Sequence, residues 1–144
     1  MKARTQEIWA NDVQVGMQIT SLTKIPTTVQ LFRFSAVTWN PHLIHINREY
    51  AQFEGYPDVL VQGHLHGSFL MQAIQDWAGP LARLLSFRWQ NRHIAIPGDE
   101  LTIEGIVVDV REDVVDIELQ ECNQDGVLCA PAWAAVRLPR RGNT

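Results

Sequence analysis

The 144-residue chain lacks the strong compositional biases that mark several classes of protein. Its formal net charge is −4, and Lys and Arg form no basic run, so we expect no nucleic acid partner. No window approaches the roughly 20 apolar residues that a membrane-spanning helix needs. The N-terminal sequence MKARTQEIWANDVQVGM has no apolar stretch typical of a secretion signal. We therefore expect a cytoplasmic protein with no membrane partner.

Cysteine is also scarce: the two cysteines, Cys122 and Cys129, flank an Asn-Gln-Asp-Gly turn. Because their positions across the predicted hairpin are offset, we expect no disulfide. They lack the Cys-x-x-Cys spacing of zinc sites, and the five histidines form no His-Glu-x-x-His pattern. We therefore predict no metal site and interpret both thiols as small buried side chains.

Apolar residues make up 46% of the chain, which is enough to bury a substantial core. No repeat, low-complexity tract or linker interrupts the sequence. We interpret residues 1–144 as one domain whose terminal segments, 1–10 and 139–144, are frayed tails.

The segment GHLHGSFLMQAIQDWAGP (63–80) is the most informative for the fold. Its polar residues recur at helical spacing on one side, and apolar residues cover most of the remainder. This pattern predicts a long, mostly buried helix that ends at Gly79-Pro80. A short helix is predicted over 47–55, with Asn47 as its N-cap and Gly55 as its end.

Strand patterns dominate the rest of the chain. VQLFRFS (29–35) alternates weakly and is interpreted as a strand that Asn40-Pro41 breaks. Four further segments separated by turn signals predict an antiparallel meander: 81–90, 101–110, 114–122 and 127–139. A long helix wrapped by a curved antiparallel sheet is an α+β architecture, and the hot-dog fold has this order of elements.

Four segments resemble the MaoC-like acyl-thioester hydratases and dehydratases. The resemblance covers roughly residues 30–138 in the family's order, and it rests on residues 32–51, 55–72, 97–108 and 123–128. The central stretch TWNPHLIHIN (38–47) is similar to the family sub-pattern Thr-Phe-Asn-x-His-Arg-Ile-His-Tyr-Asp. The resemblance implies a single hot-dog domain.

The family motif runs roughly Ser-Gly-Asp-x-Asn-Pro-x-His-x-Asp, and its first Asp and its His act together on a water molecule. Aligning on the histidine places the catalytic His at His45 and the Asp at Asn40; aligning on Asn-Pro places the Asp at Thr38 instead. Both alignments lack the carboxylate. The resemblance implies that His45 takes the proton of the water while the amide of Asn40 orients it. A carboxylate from Glu49, Asp58 or a partner chain is the alternative.

The reaction passes through an enolate, whose negatively charged oxygen needs a hydrogen-bond donor. The resemblance implies that this donor is the backbone N–H of Gly63, at the start of the long helix, where backbone N–H groups are free. Four further residues are assigned to substrate binding: Thr38, His42, Gln62 and His64. His66 falls on the core side of the helix and is interpreted as packing. The alternative for each histidine is an ordinary half-buried side chain.

The function implied is hydration of an enoyl-CoA thioester, or dehydration of the 3-hydroxyacyl-CoA, with the R isomer as the hydroxy form. No cofactor is implied beyond the coenzyme A of the substrate. We expect a homodimer or a heteromer with another hot-dog protein. The stretch DWAGP (76–80) also resembles hot-dog subunits of two-protein hydratases for steroid side chains, so a partner-dependent or non-catalytic subunit is an alternative. A thioesterase is disfavoured because Asp76 is the helix's only acid and lies near its far end.

Overall fold

A computed structural model of the chain describes residues 7–142. Within this range the three α-helices are α1 (Thr28–Thr38), α2 (Arg48–Phe53) and α3 (Gly63–Ala78). The five strands are β1 (Leu22–Lys24), β2 (Arg83–Trp89), β3 (Leu101–Arg111), β4 (Val114–Cys122) and β5 (Leu128–Arg137). Short 3-10 helices lie at Ala10–Asp12 and Leu43–His45.

The strands form one antiparallel sheet in the order β1-β3-β4-β5-β2. Strands β3, β4 and β5 are consecutive in the chain and adjacent in the sheet, as the hairpin signals predicted. The predicted meander is wrong for its first segment, because β2 pairs with β5 and not with the next strand in the chain, β3. Strand β2 lies at one edge, and the three-residue strand β1, which the sequence analysis missed, lies at the other.

Helix α3 packs its apolar side on strands β3, β4 and β5. Its start at Gly63 and its end before Gly79, which has a φ of 82°, match the predicted helix. Leu65, Phe69 and Leu70 are among its buried residues, and burial of each such side chain contributes about 1.5–3 kcal/mol. Gly67 permits this packing, because a Cβ there would lie 2.8 Å from the Trp89 indole.

The strand predicted at 29–35 is wrong, because these residues belong to helix α1. Thr27 caps the helix by accepting a hydrogen bond from the backbone of Gln30 at 3.1 Å. The buried residues of α1 are Leu31 and Ser35, four positions apart, which is the spacing of a helix face. The weak alternation of apolar residues therefore concealed a helical period. The short helix capped by Asn47 is confirmed as α2.

The described parts of the two terminal segments contact each other. The backbone N–H of Ala10 donates to the oxygen of Pro139 at 2.9 Å, and the Arg141 side chain pairs with Asp12 at 2.8 Å. Residues 1–6 and 143–144 lie outside the described residues. Across residues 7–142, no helix has the length and apolar character that crossing a bilayer requires.

The two thiols are free, as predicted, but Cys122 is half-buried and not buried as expected, because it lies at the end of β4. Strand pairing places Cys122 opposite Leu128 rather than opposite Cys129, which is the offset that the turn spacing indicated. Cys129 is fully buried, and this burial raises the pKa of its thiol to about 11.

Candidate functional site

The segment between α1 and α2 presents the predicted site residues in a tight series of turns. Helix α1 ends at Trp39, whose φ of 53° turns the chain into the Asn40-Pro41 break. The Nδ1 atom of His42 accepts a hydrogen bond from the backbone of Ile44 at 3.3 Å and caps the 3-10 helix that carries His45. His45 is thus held between two capped helices.

The imidazole of His45 has a defined orientation. Its Nδ1 atom lies 2.8 Å from the backbone oxygen of Leu60, which can only accept a hydrogen bond, so Nδ1 carries the proton. In the neutral ring, Nε2 therefore keeps a free lone pair. Burial lowers the pKa of His45 below its ordinary value; the bond to Leu60 opposes this effect, and the nearby His42 adds to it. At neutral pH the ring is a neutral base.

His45 lines an open cavity of about 210 Å³. Its other lining residues are Thr28, Phe32, Ile46, Arg48, Asp58 and Val59. Arg48 binds Asp58 through two hydrogen bonds, Nε to Oδ1 at 2.9 Å and Nη2 to Oδ2 at 3.1 Å. The Arg48 pair lowers the pKa of Asp58, so this carboxyl group is ionised. One of the alternative carboxylates is thereby placed beside His45.

Asn40 and Thr38 are not among the residues that line this cavity. Asn40 is half-buried, and its backbone N–H donates to the oxygen of Ser35 at 2.9 Å. The Thr38 hydroxyl donates to the oxygen of Phe34 at 2.6 Å, inside helix α1. The structure thus separates these two motif positions from the cavity that holds His45.

Gly63 is the first residue of α3, and its backbone N–H has no acceptor among the described residues. A Cβ at this position would lie 2.4 Å from the side-chain nitrogen of Asn91, so only glycine fits without a shift of that exposed side chain. The indole of Trp89 donates to the Gly63 oxygen at 3.1 Å. Sequence reasoning missed both neighbours, because Trp89 ends β2, Asn91 lies two residues beyond it, and neither belongs to a motif.

His45 and Gly63 are linked by one short segment. The ring of His45 is bonded to Leu60, three residues before Gly63, and the Leu60 N–H donates to the Ile44 oxygen at 2.8 Å. Gly63 does not itself line the 210 Å³ cavity. The predicted base and the predicted oxyanion donor are therefore anchored to the same segment but do not share a closed cavity within one chain.

The other predicted substrate contacts differ in accessibility. The side chain of Gln62 is fully buried, and its Nε2 donates to the Leu31 oxygen at 2.8 Å and to Ser35 at 2.9 Å. It joins the start of α3 to α1, so its side chain is not exposed for the predicted contact with substrate. His64 is exposed, and its ring lies edge-on to Trp89. His42 is exposed and lies edge-on to His45.

A buried polar pair lies beneath the start of α3. His66 is buried, as predicted, but its Nδ1 is hydrogen-bonded to the buried carboxylate of Glu121 on β4. The second oxygen of Glu121 has no partner among the described residues. The alternation of β4 was a usable signal, because Glu121 continues the inward-facing series of Val115, Ile117 and Leu119.

Comparison with known proteins relates this site to acyl-thioester enzymes. The family described as hydroxyacyl-thioester dehydratase type 2 matches residues 4–97. A mesaconyl-C(4)-CoA hydratase from Chloroflexus aurantiacus is 36% identical over 99 residues, which are 68% of this chain and 34% of that protein. The chain thus spans about a third of the length of this curated relative.

Solved structures show the fold. The unliganded R-hydratase PhaJ1 from Pseudomonas aeruginosa has a TM-score of 0.87 at 22% identity, with 94% of this chain and 88% of that chain covered. A chain of the ChsH1–ChsH2 complex from Mycobacterium tuberculosis has a TM-score of 0.81 at 20% identity, with 87% of this chain and 98% of that chain covered. The predicted α+β hot-dog fold is confirmed.

Proposed function

Because the chain belongs to the hydroxyacyl-thioester dehydratase type 2 family, consistent with the MaoC-like resemblance of its sequence, we propose that it interconverts an enoyl-CoA thioester and its 3-hydroxyacyl form. The observation that carries the proposal is the state of His45: a neutral imidazole whose Nδ1–H is fixed on Leu60 and whose Nε2 is free beside a cavity. The name of the Chloroflexus relative supports coenzyme A as the carrier.

In the proposed reaction, His45 acts first as a base and then as an acid. Nε2 takes a proton from water while the water oxygen bonds to the β-carbon. The π electrons move to the thioester oxygen and form an enolate, which the free N–H of Gly63 stabilises. The imidazolium then gives its proton to the α-carbon, which restores the carbonyl and the neutral ring. Protons and electrons balance over these steps without a metal or a redox cofactor. The name of the Pseudomonas neighbour supports the R isomer as the hydroxy form.

We propose that the side-chain amide of Asn40 orients the water when substrate is bound, as the family resemblance implies. Asn40 lies at the end of α1, outside the His45 cavity. Asp58 is the ionised carboxylate in that cavity, but its oxygens are bound by Arg48 and by the backbone of Val59. These bonds argue for a positioning role for Asp58 rather than for proton transfer.

We propose further that a second hot-dog chain pairs along β2. Its outer edge has no partner strand among the described residues, and the apolar side chain of Leu85 on β2 is 42% exposed. Trp89 at the end of this strand contacts Gly63, so a neighbouring chain there would enclose the oxyanion donor. We expect light scattering to give a dimer mass for the wild type and a lower mass for Leu85→Lys.

The alternative from another class is a non-catalytic subunit. Two observations favour it: Asn40 replaces the motif acid, and Gly63 lies outside the His45 cavity. The similarity to a chain of a two-protein complex is in keeping with this role.

The deciding experiment follows purified protein with crotonyl-CoA by the loss of enoyl absorbance. Turnover that disappears in His45→Ala supports hydration, whereas release of free thiol shows thioester hydrolysis. Activity that appears only with a second hot-dog protein supports the subunit alternative. Circular dichroism of the His45 variant verifies that the fold is retained.

A further inference from the structure

The guanidinium of Arg48 is the positive group of the His45 cavity. Its side chain is 63% exposed, and only the Nε–Nη2 edge is engaged, by Asp58. Asp58 is fixed in turn, because its Oδ1 accepts a hydrogen bond from the backbone of Val59 at 2.7 Å. A guanidinium has five N–H donors, so the Nη1 group and one hydrogen of Nη2 remain for a second acceptor.

This arrangement differs from an ordinary surface ion pair. Arg48 is held by a bidentate contact at one edge, which fixes the plane of the fork and leaves the other edge matched to a planar carboxylate. The pair also lies in the cavity that contains the proposed base, next to the apolar side chains of Phe32 and Ile46. A ligand in this cavity can therefore contact the base His45, the apolar side chains and the guanidinium of Arg48 at the same time.

We propose that Arg48 binds a second carboxylate on the acyl group, and that the preferred substrates are CoA thioesters of unsaturated dicarboxylic acids. The proposal rests on the proposed function. Hydration places the β-carbon next to His45, and Arg48 lines the same open cavity as this histidine, so a group on the β-carbon is the part of the acyl chain nearest to Arg48. The second carboxylate is therefore attached to the β-carbon, as in fumaryl-CoA. Asp58 is the positioning residue that aligns the guanidinium.

Two other roles of Arg48 predict different results. If Arg48 bound the phosphates of coenzyme A, every CoA ester would depend on it equally. If Arg48 only connected α2 to the loop before α3, its loss would alter stability and leave substrate preference unchanged.

The test compares two substrates that differ in one group. Crotonyl-CoA carries a methyl group on the β-carbon, and fumaryl-CoA carries a carboxylate. Values of kcat/KM are measured for the wild type, for Arg48→Gln, and for the matched control Arg111→Gln. Arg111 is an exposed arginine on the β3–β4 hairpin, far from His45 in the chain, that also binds one carboxylate, that of Asp116, through two hydrogen bonds.

We expect the wild type to prefer fumaryl-CoA. Loss of a charge-assisted hydrogen bond to the carboxylate should lower kcat/KM for fumaryl-CoA about 10- to 100-fold in Arg48→Gln. The loss for crotonyl-CoA should be much smaller, because its methyl group forms no charge-assisted hydrogen bond, and Arg111→Gln should behave as wild type toward both substrates. An equal loss for both substrates, or no loss for either, overturns the proposal while leaving the hydratase function intact.

Binding of saturated analogues keeps the two proposals separable. Calorimetry with succinyl-CoA and butyryl-CoA measures the same carboxylate contact without turnover. If the wild type hydrates neither enoyl-CoA, the proposed function fails. Tighter binding of succinyl-CoA that is lost in Arg48→Gln still supports the carboxylate site, and equal binding of the two analogues contradicts it.

Discussion

The Nδ1 atom of His45 lies 2.8 Å from the backbone oxygen of Leu60, and this bond decides which ring nitrogen is available as a base. The same contact attaches the motif loop to the chain segment that leads into α3. One hydrogen bond thereby sets both the tautomer of the imidazole and its distance from the helix start.

The pH dependence of turnover follows from His45. Burial lowers its pKa below the ordinary value of 6.5, so the neutral base persists to lower pH than for an unperturbed histidine. We expect kcat/KM for crotonyl-CoA hydration to be constant above about pH 7 and to fall through one ionisation below pH 6.5. His42→Asn removes a nearby charge but keeps an N-cap, so the acid limb should move to higher pH. An acid limb centred above pH 7 in the wild type would contradict this assignment.

The role of Gly63 is tested by adding one methyl group. Gly63→Ala should lower kcat for crotonyl-CoA about 10²- to 10³-fold, the usual cost of losing an oxyanion donor, because the methyl blocks close approach to the N–H. The added methyl carbon would also lie 2.4 Å from the exposed Asn91 side chain, so a steric effect needs its own control. In Gly63→Ala/Asn91→Ala the clash is absent, and we expect activity to stay low. Recovery of activity in the double variant would show that Gly63 only makes room for Asn91.

Replacing one member of the buried pair His66–Glu121 should destabilise the protein more than replacing both members. His66→Leu leaves the buried carboxyl group of Glu121 without its hydrogen-bond partner, and we expect a loss of about 1–3 kcal/mol in the free energy of unfolding. The double variant His66→Leu/Glu121→Leu replaces both groups by apolar ones and should recover most of that loss. Urea unfolding of the wild type, both single variants and the double variant gives the coupling energy. Additive losses in this cycle would show that the pair is not coupled.

Thiol reactivity tests the core around β4 and β5. Burial raises the pKa of Cys129 to about 11, so almost no thiolate exists at pH 8. In Cys122→Ser, where Cys129 is the remaining thiol, an aromatic disulfide reagent should react slowly at pH 8 and rapidly after unfolding in urea. Fast reaction of the folded variant would mean that this part of the core opens readily.

The long helix and the meander were predictable because each carries a complete local signal. The apolar side of α3 repeats over four turns, and β4 alternates from Val115 to Leu119. Helix α1 was misassigned because its buried side consists of only two of its eleven residues, Leu31 and Ser35, and one of them is polar. Such a short buried side leaves little apolar periodicity to detect. Strand β1 has three residues and gains its structure from pairing with β3.

The sequence points to candidate site residues only where one motif spans them, and their roles stay predictions. His45 and Gly63 were identified from residue order and family resemblance. Asn91, Trp89 and Glu121 reach the start of α3 from segments that are distant in sequence, so no local pattern connects them. Gln62 was assigned to substrate because it precedes Gly63, but the packing of α1 turns its side chain inward.

The central claim is that His45 and the N–H of Gly63 act on one thioester. A crystal structure with butyryl-CoA, a saturated analogue that cannot be hydrated, tests it most directly. The account predicts a thioester oxygen about 2.7–3.1 Å from the Gly63 nitrogen, with the β-carbon facing Nε2 of His45 in the same ligand. A thioester bound at Gly63 with its acyl chain directed away from His45, in the monomer and across every subunit contact, would contradict it.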